Sequence, residues 1–450
     1  MPGSKNAILP STLEVSDQEN DFISGKKLTV DQGVSGPTDF DFIKETVLSR
    51  RSFLGKGVGL GIGAFVMGST SLQPVTAFAK TSRLGFDAIP ANGADTITVP
   101  HGYTWQVVTR WGDPIWSKGQ DFDDVSRGTG ASQELAMGDN NDGMALFHRE
   151  GRNILAVNNE YVNRGIFHGN RSSGKAETAD DVRKSKAAHG VTIAEIREIE
   201  DRWEVVKDSP FNRKVTADTL TEITGPARGH DLLKTSADPS GTSSKGTWNN
   251  CGNGRTPWGT YLTCEENFNG YFSSSDPNLK ISEALKRYGV KTKDRGYGWA
   301  STDERFDLAK HPNEPNRAGY IVEIDPLDPT STPKKHTALG RFKHENAELV
   351  VNKDGRIVVY LGDDERGEFL YRFVSRGKYV EGDDNSELLE DGKLFVAKFS
   401  NKLDGKWIEL NPANTGMTSQ AEICIHTRQA ASSVKATTMD RPEWVAANPR

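Results

Sequence analysis

From residue 80 onward the apolar positions of this chain gather in short runs, each closed by Gly, Pro, Asn, Asp or Ser, a pattern of strands rather than helices. Such runs occupy residues 96–99, 105–109, 154–157, 203–206, 261–263, 320–324, 357–361, 370–374 and 394–399. Their spacing is too irregular for a sequence repeat. Short strands separated by long polar loops predict a propeller more than a sandwich. Two stretches break the pattern, a polar, charged one at 176–188 and Ile-Ser-Glu-Ala-Leu-Lys-Arg-Tyr at 281–288, and both read as helices decorating loops. With 20 Pro and 45 Gly among 450 residues adding turns, the expected class is all-β.

The first 79 residues follow another rule. Residues 1–48 are polar, acidic and aperiodic, which predicts disorder. Ser49-Arg50-Arg51-Ser52-Phe53-Leu54-Gly55-Lys56, an apolar Gly/Ala/Val stretch to about Leu72 and the small-residue exit Ala77-Phe78-Ala79 then predict a twin-arginine export signal cleaved after Ala79. The organisation expected is a leader over 1–79 and one domain over 80–450, destined for the periplasm or secretion. The glycines at 55, 57, 59, 61 and 63 follow no strand, which argues against a dinucleotide loop, and the run is too short and weakly apolar for a stable membrane anchor. The twin-arginine translocase carries folded proteins, so a cofactor can be inserted in the cytosol while thiols are reduced. That suits an odd set of three cysteines, Cys251, Cys264 and Cys424.

Lys plus Arg (56) against Asp plus Glu (62) gives a net charge of −6, so there is no basic field for nucleic acid, and acidic clusters should draw cations. Four strand ends are acidic: Asn158-Asn159-Glu160, Cys264-Glu265-Glu266, Lys343-His344-Glu345 and Asp363-Asp364-Glu365. Converging carboxylates repel unless a cation lies between them, and the inner strands of a propeller do converge. A multinuclear metal site is therefore expected. Carboxylate and amide oxygens suit calcium or magnesium, whereas the Cys264 thiolate suits a softer ion such as iron or zinc. For any single stretch the competing reading is a solvated loop, and for Cys264 a buried structural thiol. Asp139-Asn140-Asn141-Asp142-Gly143 and Asp383-Asp384-Asn385 lack full EF-hand spacing and read as turns. A Gly-x-Ser-x-Gly elbow and a His-Glu-x-x-His helix are both absent from the sequence, which disfavours a serine hydrolase or a zincin. Of His230 and His344, the first reads as a structural histidine.

At these residues the sequence resembles the PhoX-type alkaline phosphatases. The twin-arginine leader, Arg110-Trp111-Gly112-Asp113-Pro114, Asn140-Asn141-Asp142, Asn159-Glu160-Tyr161 and Gly225-Pro226-Ala227-Arg228-Gly229-His230 all look like that family. So do Asn249-Asn250-Cys251, residues 256–272, Phe342-Lys343-His344-Glu345, Gly362-Asp363-Asp364-Glu365-Arg366 and Met439-Asp440-Arg441-Pro442-Glu443-Trp444. The resemblance implies a six-bladed β-propeller, phosphate-monoester substrates, and a cofactor of ferric iron and calcium joined by an oxo bridge. By motif position it implies Glu160, Cys264, Glu265, Glu345, Asp364, Glu365 and Glu443 as ligands. Family members continue past the Pro-Glu-Trp segment, so an incomplete propeller is expected here. Arg366 is the first candidate for binding the phosphate oxygens and Lys343 the second, with a neutralising salt bridge as the alternative for Arg366. A monomer is expected. The rival readings are a calcium-dependent propeller lactonase or esterase and a non-catalytic, calcium-stabilised secreted propeller.

Overall fold

Strand pairing decides which of these runs become structure. The computed structural model describes residues 86–402 and 404–448; the polar extension, the twin-arginine segment and the Ala79 exit lie outside the described residues. The chain divides into two units, Met1–Trp105 and Gln106–Arg450. In the first, residues 86–105 form turns and extended chain, with Phe86 meeting Tyr103 edge-on at 5.7 Å. The runs at 96–99 and 105–109, expected as strands, are not strands. Among the described residues neither has a partner strand to take its backbone hydrogen bonds, and Ile97 and Val107 stay exposed.

The second unit is mostly sheet. Its first sheet runs β1 (Asn141–Arg149), β2 (Arg152–Asn159), β3 (Gly190–Ile199), β4 (Arg202–Val205), antiparallel throughout, with β5 (Arg213–Val215) also on β3. The two-residue loops Glu150-Gly151 and Glu200-Asp201 both have positive φ at each position, the turn whose twist matches a hairpin. The second sheet holds β6 (Leu220–Thr224), β7 (Ser243–Lys245), β8 (Asn250–Arg255), β9 (Tyr261–Glu265), β10 (Ile321–Ile324) and β11 (Lys334–His336), ordered β7-β6-β11-β10-β9-β8 with only β6 and β11 parallel. The third holds β12 (His344–Val351) and β13 (Arg356–Asp363), then, beyond the short β14 (Arg366–Glu368), the strands β15 (Leu370–Lys378), β16 (Gly392–Phe399) and β17 (Gly405–Glu409). It is an antiparallel meander, and β14 pairs apart with β18 (Met439–Asp440).

The seven remaining runs fall in β2, β4, β9, β10, β13, β15 and β16, with ends shifted by a residue or two except in β15, which runs four residues further. Both expected helices form. Residues Ala179–Ala188 are capped by Thr178 in a capping box with Asp181, and Glu283–Arg287 by Ser282. Helices Gln420–Ile425 and Thr427–Ser433 and strands β1, β3, β8 and β12 escape the apolar-run reading. β8, Asn-Cys-Gly-Asn-Gly-Arg, has no apolar run to find.

The sheets stack face to face through two cores. Ala145, Phe147, Ile154, Ala156 and Ile193 of the first sheet meet Tyr261, Val322 and Ile324 of the second. On the other face Leu262, Cys264 and Ile321 meet Ala347, Val359, Leu361 and Tyr371 of the third, with Phe342 from the segment before β12. Alternation along β9 explains the split, since Tyr261 faces one neighbour and Leu262 and Cys264 the other. Between the sheets, β1, β8 and β12 lie side by side with almost no room. A Cβ on Gly143 would sit 2.9 Å from the Cys251 carbonyl oxygen, one on Gly252 2.1 Å from that of Glu345, and one on Gly254 2.1 Å from that of Ala347.

β8 is thus a strand whose neighbours demand glycine. Gly254→Ala, away from any titratable cluster, is expected to force β8 off β12 and lower stability by about 1–3 kcal/mol, the usual cost of overpacking a tight interior. Thermal or chemical melts of this variant beside Gly165→Ala, where the nearest atom is 4.0 Å away, check it. Equal melting of the two would refute the close approach.

Candidate metal centre

The three strands that crowd together each open on a titratable residue. Asp142, Cys251 and Glu345 are the second residues of β1, β8 and β12, and in all three strands the pairing register slips directly afterwards, between Asn141 and Met144, Asn250 and Asn253, and His344 and Ala347. Such a slip is a β-bulge or kindred irregularity, which bends the strand and re-aims side chains. On the partner strands Glu160, Glu266 and Asp364 stand one residue past the ends of β2, β9 and β13. The hairpins agree in register, with Asn141 opposite Asn159, Asn250 opposite Glu265 and His344 opposite Asp363. Each sheet therefore presents one pair of ligand-type groups in the same local geometry: Asp142 with Glu160, Cys251 with Glu266, Glu345 with Asp364.

These six come together as two groups whose donor atoms lie within 4.8 Å of one another, Asp142, Glu160 and Cys251 in one and Glu266, Glu345 and Asp364 in the other. The second sheet divides its pair between them. The Cys251 thiol bridges the groups, with Sγ 3.3 Å from Asp142 Oδ2 and 3.3 Å from Glu345 Oε1. Burial, then the charges of Asp142 and Glu345, push the Glu160 carboxyl up to about 8. Burial and then Asp364 push Glu345 up to about 7, and burial followed by Glu160 raises Glu266. The Cys251 thiol is raised by burial and by the carboxylates around it. Positive charge relieves the mutual repulsion of groups so arranged, and five carboxylates with one thiol make a donor set that fits metal ions.

Each group has its own support. The Glu160 amide donates to Asn140 O, and the Glu266 amide to Asn249 O at 2.8 Å. Asn249, buried with φ 53°, also accepts from the Asn267 amide and donates to the Tyr271 hydroxyl. Arg441 grips Asp364 with both arms, Nε to Oδ1 at 2.9 Å and Nη2 to Oδ2 at 2.6 Å, and reaches Glu443 at 3.0 Å. Lys343 Nζ donates to Glu365 Oε2 at 2.6 Å.

Of the residues expected from sequence, Glu160, Glu345 and Asp364 meet in this cluster. Cys264 lies elsewhere, fully buried in the apolar core between the second and third sheets. Glu265 points the opposite way along β9, forming a fully buried ion pair with Lys335 at 2.9 Å and accepting from the amides of Gly319 and Tyr320. Glu365 is bound to Lys343, and Glu443, half exposed, stands at the edge, where its charge reaches Glu345. Arg366 is 63% exposed and pairs with Asp440 across β14 and β18. Asp142, Cys251 and Glu266 were not singled out as ligands. Asp142 read as a turn residue, Cys251 as one cysteine of three, and Glu266 as the last of a block.

Residues 84–450 match the family described as Alkaline phosphatase PhoX. The chain belongs to that family. Its fold is also that of a solved relative, Pseudomonas fluorescens PhoX in complex with vanadate, a transition state analogue. The two share 48% identity at a TM-score of 0.77, over 81% of this chain and 66% of that one. This PhoX-family chain thus spans just under two thirds of the length of that structure's chain. No curated protein matches it. Among the described residues no helix is long and apolar enough to cross a membrane.

The protons held at Glu160 and Glu345 predict how the metal-free protein responds to pH. Because these carboxyls titrate higher folded than unfolded, their share of stability is present in acid and lost as pH rises through about 7 to 8. The melting temperature of chelator-treated protein should fall between pH 6 and 8.5, and calcium should abolish that fall while releasing protons in calorimetry at pH 7. A pH-independent melt of the metal-free form, or calcium binding without proton release, contradicts the arrangement.

Proposed function

We propose that this chain hydrolyses phosphate monoesters with metal ions held by Asp142, Glu160, Cys251, Glu266, Glu345 and Asp364. The observation that carries the reading is the threefold recurrence of one ligand pair at the bulged ends of neighbouring sheets, in a family with a solved member in complex with vanadate, a transition state analogue. Five carboxylates favour calcium, and the Cys251 thiolate favours iron, so both ions of the family's cofactor have suitable donors. Bound there, the metals would polarise phosphate oxygens and lower the pKa of the attacking oxygen. The stacked sheets with converging inner strands support blades of a six-bladed propeller.

The chain's own groups supply the rest. Lys343, buried, with its carbonyl accepting from the Asp364 amide at 3.0 Å and its charge felt by Glu266, offers a cation for the phosphate oxygens once its hold on Glu365 loosens. Arg441 keeps Asp364 oriented by its two-armed grip. Arg366, solvent-facing and paired with Asp440, fits the neutralising role better than the phosphate contact. The Arg50-Arg51 leader supports export by the twin-arginine route, which retention of the leader on changing both to lysine would demonstrate.

The test compares Cys251→Ser, Cys264→Ser and Lys343→Ala with the parent for metal content and phosphomonoester kinetics on the same preparations. Cys251→Ser should lose iron and at least about a hundredfold in kcat/KM, whereas Cys264→Ser should cost stability only. Lys343→Ala should keep its metals and lose roughly 10²–10³ in kcat. Iron lost from Cys264→Ser and kept by Cys251→Ser would overturn the ligand set, and a parent without phosphomonoesterase activity would overturn the function.

A further inference from the structure

Asn158 is fully buried on β2, two residues before Glu160, and its amide reaches across to the second sheet. Nδ2 donates to Cys251 O at 2.6 Å and to Gly252 O at 2.8 Å, the two carbonyls of the irregularity that aims Cys251. Oδ1 accepts from the Tyr261 hydroxyl at 2.9 Å and from Thr263 Oγ1 at 2.7 Å, both on β9, the strand that leads to Glu266. The Tyr261 hydroxyl also lies 2.8 Å from Gly143 O, beside Asp142. Both donors and the acceptor oxygen of one amide are thus engaged by β8, which carries Cys251, and by β9, which leads to Glu266, and Tyr261 extends the contact to β1 beside Asp142.

The corresponding position on the other two hairpins holds Cys264 and Gly362. Cys264 joins the apolar core, and Gly362 lies where a Cβ would be 2.4 Å from Pro442 O. Neither can donate as Asn158 does. We propose that Asn158 is the positioning residue that locks the turn of β8 so that the Cys251 thiol points between Asp142 and Glu345 rather than into the neighbouring core. A buried amide that donates twice and accepts twice has one orientation, so it fixes both strands at once. The inference rests on the ligand set proposed above and adds to it the residue that sets the sulfur's direction.

The test uses Co²⁺ added to chelator-treated protein, read by the sulfur-to-metal absorption band, by Co²⁺ affinity and by thermal melts. Asn158→Asp keeps the shape and removes both donors, and is expected to weaken Co²⁺ binding by about 10- to 100-fold and to reduce the band per bound ion. Tyr261→Phe, which leaves the two bonds to β8 in place, should weaken both by less. Phe373→Leu, in the core between the second and third sheets, controls for stability alone and should lower the melting temperature without changing the band. A band abolished by Cys251→Ser but retained in full by Asn158→Asp overturns this inference and leaves the ligand set standing. Loss of the band in Phe373→Leu at an equal drop in melting temperature overturns it as well. A band that survives Cys251→Ser overturns the ligand set and this inference with it.

Discussion

Holding five carboxylates and a thiol together is the condition on which this structure depends. Two unit charges about 5 Å apart repel by roughly 3 kcal/mol at an effective dielectric constant of 20, so a fully ionised cluster would push the sheets apart. The protein answers with carboxyls at Glu160, Glu345 and Glu266 whose proton affinity is raised, with Arg441 on Asp364, and with a donor set that suits cations. Other acidic residues nearby are turned away and neutralised separately. Asp363 is fully buried against Arg428, Nε to Oδ2 at 2.8 Å, and Glu265 is buried against Lys335. Removing either cation would leave an uncompensated buried charge, so these pairs are scaffold, and they keep two further carboxylates out of the cluster.

Rigidity comes from how closely the inner strands approach. With less than a side chain's width between β1, β8 and β12, Gly143 and Gly252 directly follow Asp142 and Cys251 because no other residue leaves room for the next strand's carbonyl. The third position in this series is Asn346, whose side chain exchanges two hydrogen bonds with the backbone of Val445. There the segment at 441–447 lies against β12 much as β12 lies against β8. Trp444 closes over Gly252, so the residues after β18 help to wall the centre.

Much of this was legible in the sequence, and what was not has physical causes. Strand ends rich in carboxylate pointed to Glu160 and Asp364, which stand just past β2 and β13, and to Glu345, which opens β12 rather than closing a strand. Cys264 and Glu265 share that context, but alternation along β9 sends one into each face, and only Glu266, beyond the strand, is free to turn inward. Cys251 was hidden because β8 has no apolar signature. Its burial is imposed by neighbouring backbones, which leave their trace as glycines rather than as hydrophobic residues. Asp142 was hidden because a turn and a metal-binding loop use the same residues, and only the pairing of β1 with β2 separates them.

The division of the second sheet's pair between the two groups bears on chemistry. Had each sheet kept its pair together, three separate two-ligand sites would have formed, each too poor in donors for an ion of high charge. Instead Cys251 completes the group begun by the first sheet, Glu266 completes that of the third, and the thiol lies against carboxylates of both. The two three-donor groups are joined by one sulfur-bearing strand, so any movement of β8 shifts both. The strand with the least sequence signal is therefore the one whose placement the centre can least tolerate losing.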